Sequence, residues 1–384
     1  MGAAAQLLAV ACGIALAAIP AAYLCIAVFA VRRRPRGGAP GPAQWPAVTV
    51  LKPLCGAEFA TYECLRSFCR QDFPCFEIVF GVQDPADAAV EIVQRLIREY
   101  PRCPIRVVVD RRQHGSNRKV GNLINMMAAA RHDHLVIADS DILVAPDYLR
   151  RIVAPLLDPA VGIVTCAYRG LAEAGLPSLL GSLFVNDWFL PSVRIAALFG
   201  SRRFAFGATI ALRRDALAAI GGFAAVADRL ADDYALGELT RRLGLRTVLS
   251  AVEVETVIEE RRLRDLLRHE LRWLRTIRAV RPLGYALSVV TFGVPVAALG
   301  ALLSGIAPAA LACTGIAAGA RLVLHWRVRG RGAPPWDWLA LPLGDLLSFA
   351  LWCWGFAARR VQWRDDRYLV TGDGSVQQYE DSTR

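Results

Sequence analysis

Two long segments of this 384-residue sequence lack charged side chains altogether. The first extends from Ala3 to Val31 and the second from Pro282 to Ala320. A run of about 20 apolar residues is long enough to cross the hydrocarbon core of a bilayer. Together with a mean hydropathy of +0.35, these stretches indicate a membrane protein rather than a soluble one.

The sequence also lacks the usual signatures of a zinc site and of a nucleic-acid-binding module. Its ten cysteines are scattered, and the spacing of Cys64, Cys69 and Cys75 matches no zinc pattern. We expect free thiols, as in other cytoplasmic domains. The net charge of +11 is spread over arginines beside the apolar segments, where anionic lipid attracts it. We therefore predict a lipid bilayer as a partner and no nucleic acid.

The first apolar segment is predicted to be an uncleaved anchor. Arg32, Arg33, Arg34 and Arg36 follow it directly, whereas a signal peptide carries its charges before a shorter apolar core. By the positive-inside rule these arginines place the domain that follows in the cytoplasm.

The C-terminal part is predicted to contain two or three membrane segments. The second apolar run is too long for one crossing, and a turn near Ser304 and Pro308 would divide it. A third segment, Trp338–Ala358, contains Asp345 and has three open interpretations: it spans, re-enters or lies at the interface. Because the basic tail prefers the cytoplasm, we expect that this segment does not cross.

The predicted organisation has six parts: an anchor (1–31), a basic Pro/Gly linker (32–46), a catalytic domain (47–260), an amphipathic interfacial helix (261–281), membrane or re-entrant segments (282–358) and a basic tail (359–384). In the predicted catalytic domain, short apolar runs typical of buried strands alternate with segments whose apolar residues recur at helical spacing. We place the strands at residues 48–51, 76–82, 105–109 and 135–138. Successive β–α units predict an α/β fold with a parallel, doubly wound sheet.

Charged side chains follow four of these strands. Lys52 and Asp84 follow the first two, Lys119 lies in the loop after the third, and Asp139 and Asp141 follow the fourth. Ligands of open α/β sheets bind at the carboxyl ends of the strands. In an extended segment Asp139 and Asp141 would point to one side and offer oxygen ligands for a cation shared with a diphosphate. The alternative for each residue is a turn, a helix cap or a solvated surface charge.

Two further stretches carry candidate residues. Asp232 and Asp233 begin a predicted helix, where they either complement the helix dipole or supply a general base beside a bound sugar. The segment Arg261–Arg281 has an apolar face surrounded by arginines, which predicts an interfacial helix at the anionic leaflet.

The motifs taken together resemble those of processive-type GT-A glycosyltransferases. They are VQDPAD at 82–87, DSD at 139–141, ADDYALGE at 231–238 and ELRW at 270–273. The ceramide glucosyltransferase group is the most similar. Within it, LKPLCGAE, SFCRQDFP, GSNRKVGNLINM, NDWFLPSV and RHELRWLRTIR resemble the bacterial hopanoid-biosynthesis glycosyltransferases. The similarity covers nearly the whole chain.

The resemblance implies a GT-A fold, Rossmann-like with a mostly parallel sheet, and a role for each matching residue. Asp84 would contact the uridine. Asp139 and Asp141 would bind Mg²⁺ or Mn²⁺ with the donor, Asp141 being the preferred ligand. Asp233 would be the catalytic base. His269, Arg272 and Trp273 would form the motif that binds the diphosphate, with histidine where the family has Gln or Arg.

The activity that follows from the resemblance is inverting sugar transfer from a UDP-sugar to a membrane lipid hydroxyl. The expected reaction moves N-acetylglucosamine to bacteriohopanetetrol at the bacterial cytoplasmic membrane. Three alternatives are open: a ceramide glucosyltransferase that uses UDP-glucose, a processive polysaccharide synthase, for which the apolar segments are few, and a catalytically silent membrane scaffold. Both lipid-directed reactions need the same metal, base and uridine contacts.

Overall fold

The computed structural model describes residues 3–32, 42, 44–58, 60–173, 175–202, 204–329 and 333–357, and the backbone of three short strands beyond them. Most of the predicted basic linker and the side chains of the predicted basic tail lie outside these residues. The chain divides into two compact units. The helical unit comprises Met1–Arg34, Gly170–Gly200 and Glu260–Arg364, and the sheet unit comprises Pro35–Arg169, Ser201–Glu259 and Asp365–Arg384.

Eight strands form one sheet, in the spatial order β3-β2-β1-β4-β7-β6-β8-β5. The chain also contains a three-stranded sheet in the order β11-β10-β9. The strands are β1 (Val48–Pro53), β2 (Phe76–Val82), β3 (Ile105–Val109), β4 (His134–Ala138), β5 (Ile142–Leu143), β6 (Val161–Ala172), β7 (Thr209–Arg213), β8 (Arg246–Ile258), β9 (Arg360–Trp363), β10 (Asp366–Val370) and β11 (Val376–Gln378).

The first half of the large sheet is parallel, as the alternation of strands and helices predicts. β1 pairs in parallel with both β2 and β4, and β2 pairs in parallel with β3. These strands are short apolar runs, because helices cover both faces of a parallel sheet. Their carboxyl ends therefore lie along one edge.

The second half of the sheet is antiparallel, which the sequence analysis did not predict. β7 pairs antiparallel with β4 and with β6, and β5 pairs antiparallel with β8. The sequence analysis missed β5, which has two residues, and β8, whose thirteen residues include several polar ones. Alternation along an antiparallel strand is a weaker signal than a continuous apolar run.

The helices range from six to 28 residues in length. They are α1 (Ala3–Ala30), α2 (Thr61–Cys69), α3 (Ala89–Glu99), α4 (Arg118–Met126), α5 (Tyr148–Val153), α6 (Gly175–Leu183), α7 (Leu190–Leu198), α8 (Arg214–Ala219), α9 (Asp232–Arg242), α10 (Leu263–Val280), α11 (Pro282–Leu287), α12 (Gly293–Leu303), α13 (Pro308–Val328) and α14 (Asp337–Gly355). A π-helical turn, Phe184–Phe189, joins α6 to α7.

In the described part of the chain, three helices are long and apolar enough to cross a membrane: α1, α13 and α14. A fourth crossing is possible if Pro282–Thr291 and Gly293–Leu303, which meet at 78°, form one broken span. The predicted division of the second apolar run is confirmed, since α12 ends at Leu303 and α13 begins at Pro308.

Asp345, the charged residue of the third apolar segment, is paired in the structure, and the expectation that this segment does not cross stays a prediction. Arg321 on α13 donates from Nε to both carboxylate oxygens of Asp345 at 3.0 Å. An ionisable side chain inside a helix bundle is tolerated when it is paired. The sequence could not reveal this pair because its partners lie on different helices.

Part of the apolar face of α10 packs on protein, whereas Leu263 and Ile277 of that face are 47% and 40% exposed. Leu266 packs against residues of α6 and α14, and Leu271 and Leu274 pack with Phe184 and Tyr285. A stripe at helical spacing predicts which face is buried, but not whether lipid or protein buries it.

Close contact between α1 and α12 depends on small residues. A Cβ atom on Gly300 would lie 2.6 Å from the backbone nitrogen of Ala17 and 2.6 Å from the backbone oxygen of Gly13. Helices approach this closely in membranes where glycine leaves room for the opposite backbone.

We expect Gly300→Leu to destabilise the helical unit, because the clashing atoms belong to the backbone and cannot move away by a rotamer change. Overpacking of this kind costs about 1–3 kcal/mol, which would lower the thermal unfolding midpoint in detergent. Gly315→Leu is the matched control, since a Cβ there has no atom within 4 Å. Equal midpoints for the two variants would contradict this account of the crossing.

Candidate functional site

The two aspartates after β4 lie on a turn and not on an extended strand as expected. β4 ends at Ala138, and the backbone N–H of Ile142 donates to the carbonyl of Asp139 at 3.3 Å. β5 then begins at Ile142 and pairs with β8. The turn, rather than strand alternation, therefore positions the two carboxylates at the edge of the sheet.

Lys119 is surrounded by carboxylates from two other segments. Its ammonium lies 2.6 Å from Oδ1 of Asp139 and 3.8 Å from Oδ2 of Asp232. Burial alone would lower the pKa of Lys119, but these carboxylates outweigh it and raise that pKa well above its ordinary value. Lys119 is therefore a permanent cation at the site.

The loop before α4 is fixed to the start of α9 by Asn117. Its side-chain oxygen accepts from the backbone N–H of Val120 at 3.1 Å, which is an ordinary N-cap bond. Its amide donates to the carbonyl of Arg229 at 2.8 Å and lies 3.5 Å from Oδ1 of Asp232. This cap fixes the start of α4 and, with it, the position of Lys119 in the first turn of that helix.

Asp233 is the second acidic residue of α9 and is held by backbone donors. Its Oδ2 accepts from the N–H of Gly207 at 2.8 Å, and its Oδ1 accepts from the N–H of Tyr234 at 2.7 Å. Burial and the neighbouring Asp232 raise the pKa of Asp233 to about 6. A carboxylate with such a pKa is suited to accept a proton near neutral pH.

Gly207, which the sequence analysis missed, marks the point where three of the candidate groups meet. A Cβ atom built on it would lie 3.3 Å from Nζ of Lys119, 3.4 Å from Oδ2 of Asp233 and 3.6 Å from Oδ2 of Asp139. A glycine two residues before a strand was the available signal, but glycines of that kind are common.

Asp141 is held by the antiparallel half of the sheet. Thr256 on β8 donates from its hydroxyl to Oδ2 of Asp141 at 2.5 Å. Burial raises the pKa of Asp141, and the nearby Asp139 carboxylate raises it further. Thr256 was not predicted, because β8 lies more than 100 residues further along the chain.

Lys52 is fully buried under the turn and not exposed at the strand end. Its ammonium donates to the backbone carbonyl of Asp139 at 2.6 Å and lies 3.9 Å from the centre of the Phe68 ring. Burial is the main cause that lowers the pKa of Lys52 to about 8. Its contact in the structure is with the turn that carries the aspartates; a direct contact with a donor stays a prediction.

Asp84 lies at the carboxyl end of β2, where it was predicted. Its side chain is 63% exposed, and its Oδ1 accepts from the N–H of Ala86 at 3.0 Å and from Arg111 at 3.4 Å. Asp84 is therefore open to solvent at the carboxyl end of β2.

His269, Arg272 and Trp273 belong to α10 of the helical unit. Nδ1 of His269 lies 2.6 Å from Oε1 of Glu260, and its ring meets the edge of Trp273 at 4.8 Å. Burial, the largest single cause, raises the pKa of Glu260, but the hydrogen bond with His269 and further favourable interactions, Arg272 among them, together outweigh it and leave that pKa lowered. The histidine is thus oriented by a carboxylate.

Asp139 and Asp141 are the residues that fit a divalent cation. Among the described residues no group of three or more His, Cys, Asp or Glu side chains could hold a metal by itself. Mg²⁺ usually takes one or two carboxylates and completes its shell with substrate phosphates and water. Burial is the main cause that raises the pKa of Asp141, and the carboxylate of Asp139 adds to it. Binding of a cation that arrives with a diphosphate stays a prediction for this pair.

The fold as a whole is similar to that of a solved glycosyltransferase. The structure is similar to that of the mannosyltransferase PcManGT from Pyrobaculum calidifontis, solved in complex with GDP-Man and Mn²⁺. The TM-score is 0.57 at 22% identity, and the match covers 90% of this chain and 99% of that one. The chain thus has a GT-A-like α/β fold with apolar helices at both ends, as predicted.

The family follows from the sequence as a whole. The profile of Glycosyl transferase family 21 matches residues 12–376, and the chain belongs to that family.

Ceramide glucosyltransferases are among the relatives that this chain matches. Ceramide glucosyltransferase 1 of Caenorhabditis elegans is 24% identical over 210 residues, which are 53% of this chain and 44% of the relative. The ceramide glucosyltransferase of Komagataella phaffii is 34% identical over 121 residues, or 30% of this chain and 24% of the relative. The chain thus matches less than half the length of these relatives.

We expect Gly207→Ala to lower kcat/KM for sugar transfer about tenfold, equivalent to about 1.4 kcal/mol, while leaving the fold intact. The added methyl would lie 3.3 Å from the ammonium of Lys119 and would move it away from the carboxylates. Gly121→Ala on α4 is the control, since a Cβ there makes only ordinary contacts at 3.6 Å. Full activity in Gly207→Ala would show that this meeting point is not part of the site.

Proposed function

We propose that this chain is a membrane-bound glycosyltransferase that transfers glucose from UDP-glucose to the primary hydroxyl of ceramide or a similar lipid. The observation that carries the proposal is the meeting of Lys119, Asp139 and Asp233 around Gly207, all within 3.6 Å of one point. Family membership, relatives named as ceramide glucosyltransferases and three helices apolar enough to cross a membrane support it.

Asp233 acts as the general base in this proposal. The acceptor hydroxyl gives its proton to the carboxylate while its oxygen forms a bond to the anomeric carbon of the sugar. The bond from that carbon to the diphosphate breaks, and the electron pair leaves with UDP. A single displacement inverts the anomeric centre, so an α-linked donor gives a β-linked product, without a covalent enzyme intermediate.

Positive charge for the departing diphosphate comes from several groups. Lys119, already a cation among carboxylates, lies where developing negative charge would be stabilised. A divalent cation, Mg²⁺ or Mn²⁺, would be held by Asp139 and Asp141 and would supply Lewis-acid stabilisation of the diphosphate. We assign Asp84 to the uridine, and Arg272 and His269 to the diphosphate, with Trp273 beside the acceptor.

The choice of acceptor departs from our first expectation. Relatives of this chain are named ceramide glucosyltransferases, which favours ceramide over bacteriohopanetetrol as the acceptor. Residence in a bacterial cytoplasmic membrane, with the sheet unit on the cytoplasmic side, stays a prediction from the resemblance and from the arginines after α1.

The proposal is tested with full-length protein in lipid nanodiscs. UDP-glucose and UDP-N-acetylglucosamine, each radiolabelled, are offered with ceramide or with bacteriohopanetetrol, in the presence of Mg²⁺, Mn²⁺ or EDTA. We expect label in ceramide from UDP-glucose and its loss in EDTA. Label in bacteriohopanetetrol alone would overturn the acceptor assignment, and no labelled lipid under any condition would favour a catalytically silent scaffold.

We expect Asp233→Asn to reduce the transfer rate by about 10²–10⁴-fold, the usual contribution of a general base. The amide keeps the size of the side chain but cannot accept the proton. Asp215→Asn serves as the control, because the Asp215 side chain is 74% exposed on α8. Turnover in Asp233→Asn equal to that of the control would refute the assignment of the base.

The raised pKa of Asp233 predicts a pH profile. Only the ionised carboxylate accepts a proton, so kcat/KM should rise with pH and reach half its plateau where Asp233 ionises, at about 6. The profile is measured with saturating Mn²⁺ from about pH 5 to pH 8. The residual activity of Asp233→Asn should lack this limb; a flat profile in the unaltered protein would contradict the assignment.

A further inference from the structure

Two cysteines of the sheet unit, Cys69 and Cys103, pack into the same hydrophobic core. Cys69 is the last residue of α2 and is only 8% exposed. Cys103 lies between α3 and β3, packs against the core that contains Cys69, and is partly exposed to solvent. Both are free thiols in the structure, and the proposed sugar transfer uses neither of them.

A neighbouring hydrogen bond fixes how α2 lies against the segment that follows α3. Arg66 on α2 donates from Nε to the hydroxyl of Tyr100 at 3.0 Å. Cys69 comes three residues after Arg66, on the same face of the helix, and Cys103 comes three residues after Tyr100. The backbone N–H of Cys103 donates to the carbonyl of Tyr100 at 3.0 Å, so the chain turns there and keeps Cys103 beside α2.

The two thiols interact with each other. The S–H of Cys69 donates a hydrogen bond to the sulfur of Cys103, which raises the pKa of Cys69 and lowers the pKa of Cys103. Burial adds to the rise at Cys69 and opposes the fall at Cys103. The carbonyl of Leu65, 3.7 Å from Sγ of Cys69, is the other acceptor open to that S–H. Cys103 therefore has the larger fraction of thiolate, which is the reactive form of cysteine.

A metal site does not account for the pair. Structural zinc takes four protein ligands, and in the part of the chain that the structure describes no group of three or more His, Cys, Asp or Glu side chains could hold a metal. Cys103 is instead an accessible thiol beside Cys69, a second thiol that is shielded from solvent. Redox-sensitive cysteines have this arrangement, in which the second thiol resolves the oxidised form of the first.

We propose that Cys69 and Cys103 form a reversible disulfide when the protein meets a hydroperoxide. The sulfur of Cys103 attacks the terminal peroxide oxygen, the O–O bond breaks, and the other oxygen takes up a proton and leaves as an alcohol or water. The sulfur of Cys69 then attacks the sulfenic acid on Cys103, so that the S–S bond forms, the S–O bond breaks and water leaves. Two thiols are oxidised by two electrons and the peroxide is reduced. A dithiol reductant restores both thiols by exchange.

The test uses full-length protein in nanodiscs that is treated with hydrogen peroxide and digested under conditions that preserve disulfides. We expect a crosslinked pair of peptides that contain Cys69 and Cys103, about 2 Da lighter than the separate peptides because disulfide formation removes two hydrogen atoms. Dithiothreitol should abolish this species. The exposed Cys55 and Cys75 report in the same digest how strongly the treatment oxidises. Their oxidation without a crosslink between Cys69 and Cys103 would overturn the proposal.

Two single variants test which thiol is attacked first. In Cys69→Ser the sulfenic acid on Cys103 has no resolving thiol, so dimedone should label Cys103 about tenfold more than in the unaltered protein. Cys69→Ala, which keeps this buried position apolar, serves the same purpose if Cys69→Ser folds poorly. In Cys103→Ser, Cys69 should stay reduced, because its thiol is shielded from solvent.

Cys75→Ser is the matched control and should form the crosslink as the unaltered protein does. Equal dimedone labelling of Cys103 with and without Cys69 would show that Cys69 does not resolve it. Oxidation of Cys69 in Cys103→Ser at the rate of the unaltered protein would show that Cys103 is not attacked first. Either result would contradict the proposal, and neither bears on the proposed sugar transfer.

Discussion

The candidate site of the sheet unit depends on one buried cation. Lys119 reaches Asp139 after β4 and Asp232 at the start of α9, so its ammonium connects three segments that are distant in the sequence. Removing one partner from such a cluster leaves uncompensated buried charge and typically costs about 3–5 kcal/mol. That charge acts on the first turn of α9 together with the amide of Asn117 and the backbone N–H groups that donate to Asp233.

The same arrangement separates the acidic residues by role. Asp139 has the ammonium of Lys119 directly beside it, whereas Asp233 accepts hydrogen bonds from two backbone N–H groups and lies next to another carboxylate. Burial and the neighbouring Asp232 raise the pKa of Asp233, so the surroundings of this carboxylate suit it to proton transfer. Lys52 supports the turn that carries the aspartates, because its ammonium donates to the backbone carbonyl of Asp139.

The helical unit also pairs buried charges with one another, here among apolar helices. Arg321 bridges Asp187 and Asp345, so charges that would be costly in hydrocarbon are paired within the bundle. Asp187 lies in a π-helical turn, and π-turns are frequent at functional sites. Glycines allow close packing where α1 crosses α12.

The sequence by itself determined the features that depend on local patterns. Continuous apolar runs specified β1 to β4 and the apolar helices, and charged residues directly after those runs marked the edge where Asp84, Asp139 and Asp141 lie. Helix-start chemistry located α9 and its two aspartates. These predictions succeed because the spacing of buried side chains and the residue preferences of turns are both set within a few neighbouring residues.

The tertiary structure alone decided which of these groups meet. Gly207 and Thr256 became visible only when β7 and β8 completed the sheet, and Lys52 proved to support the turn because neighbouring strands bury it. The partner of Asp345 was equally hidden, since Arg321 lies on another helix. Pairings such as Arg321 with Asp345, 24 residues apart, and Asp141 with Thr256, 115 residues apart, depend on helix packing and sheet order, and no local pattern encodes them.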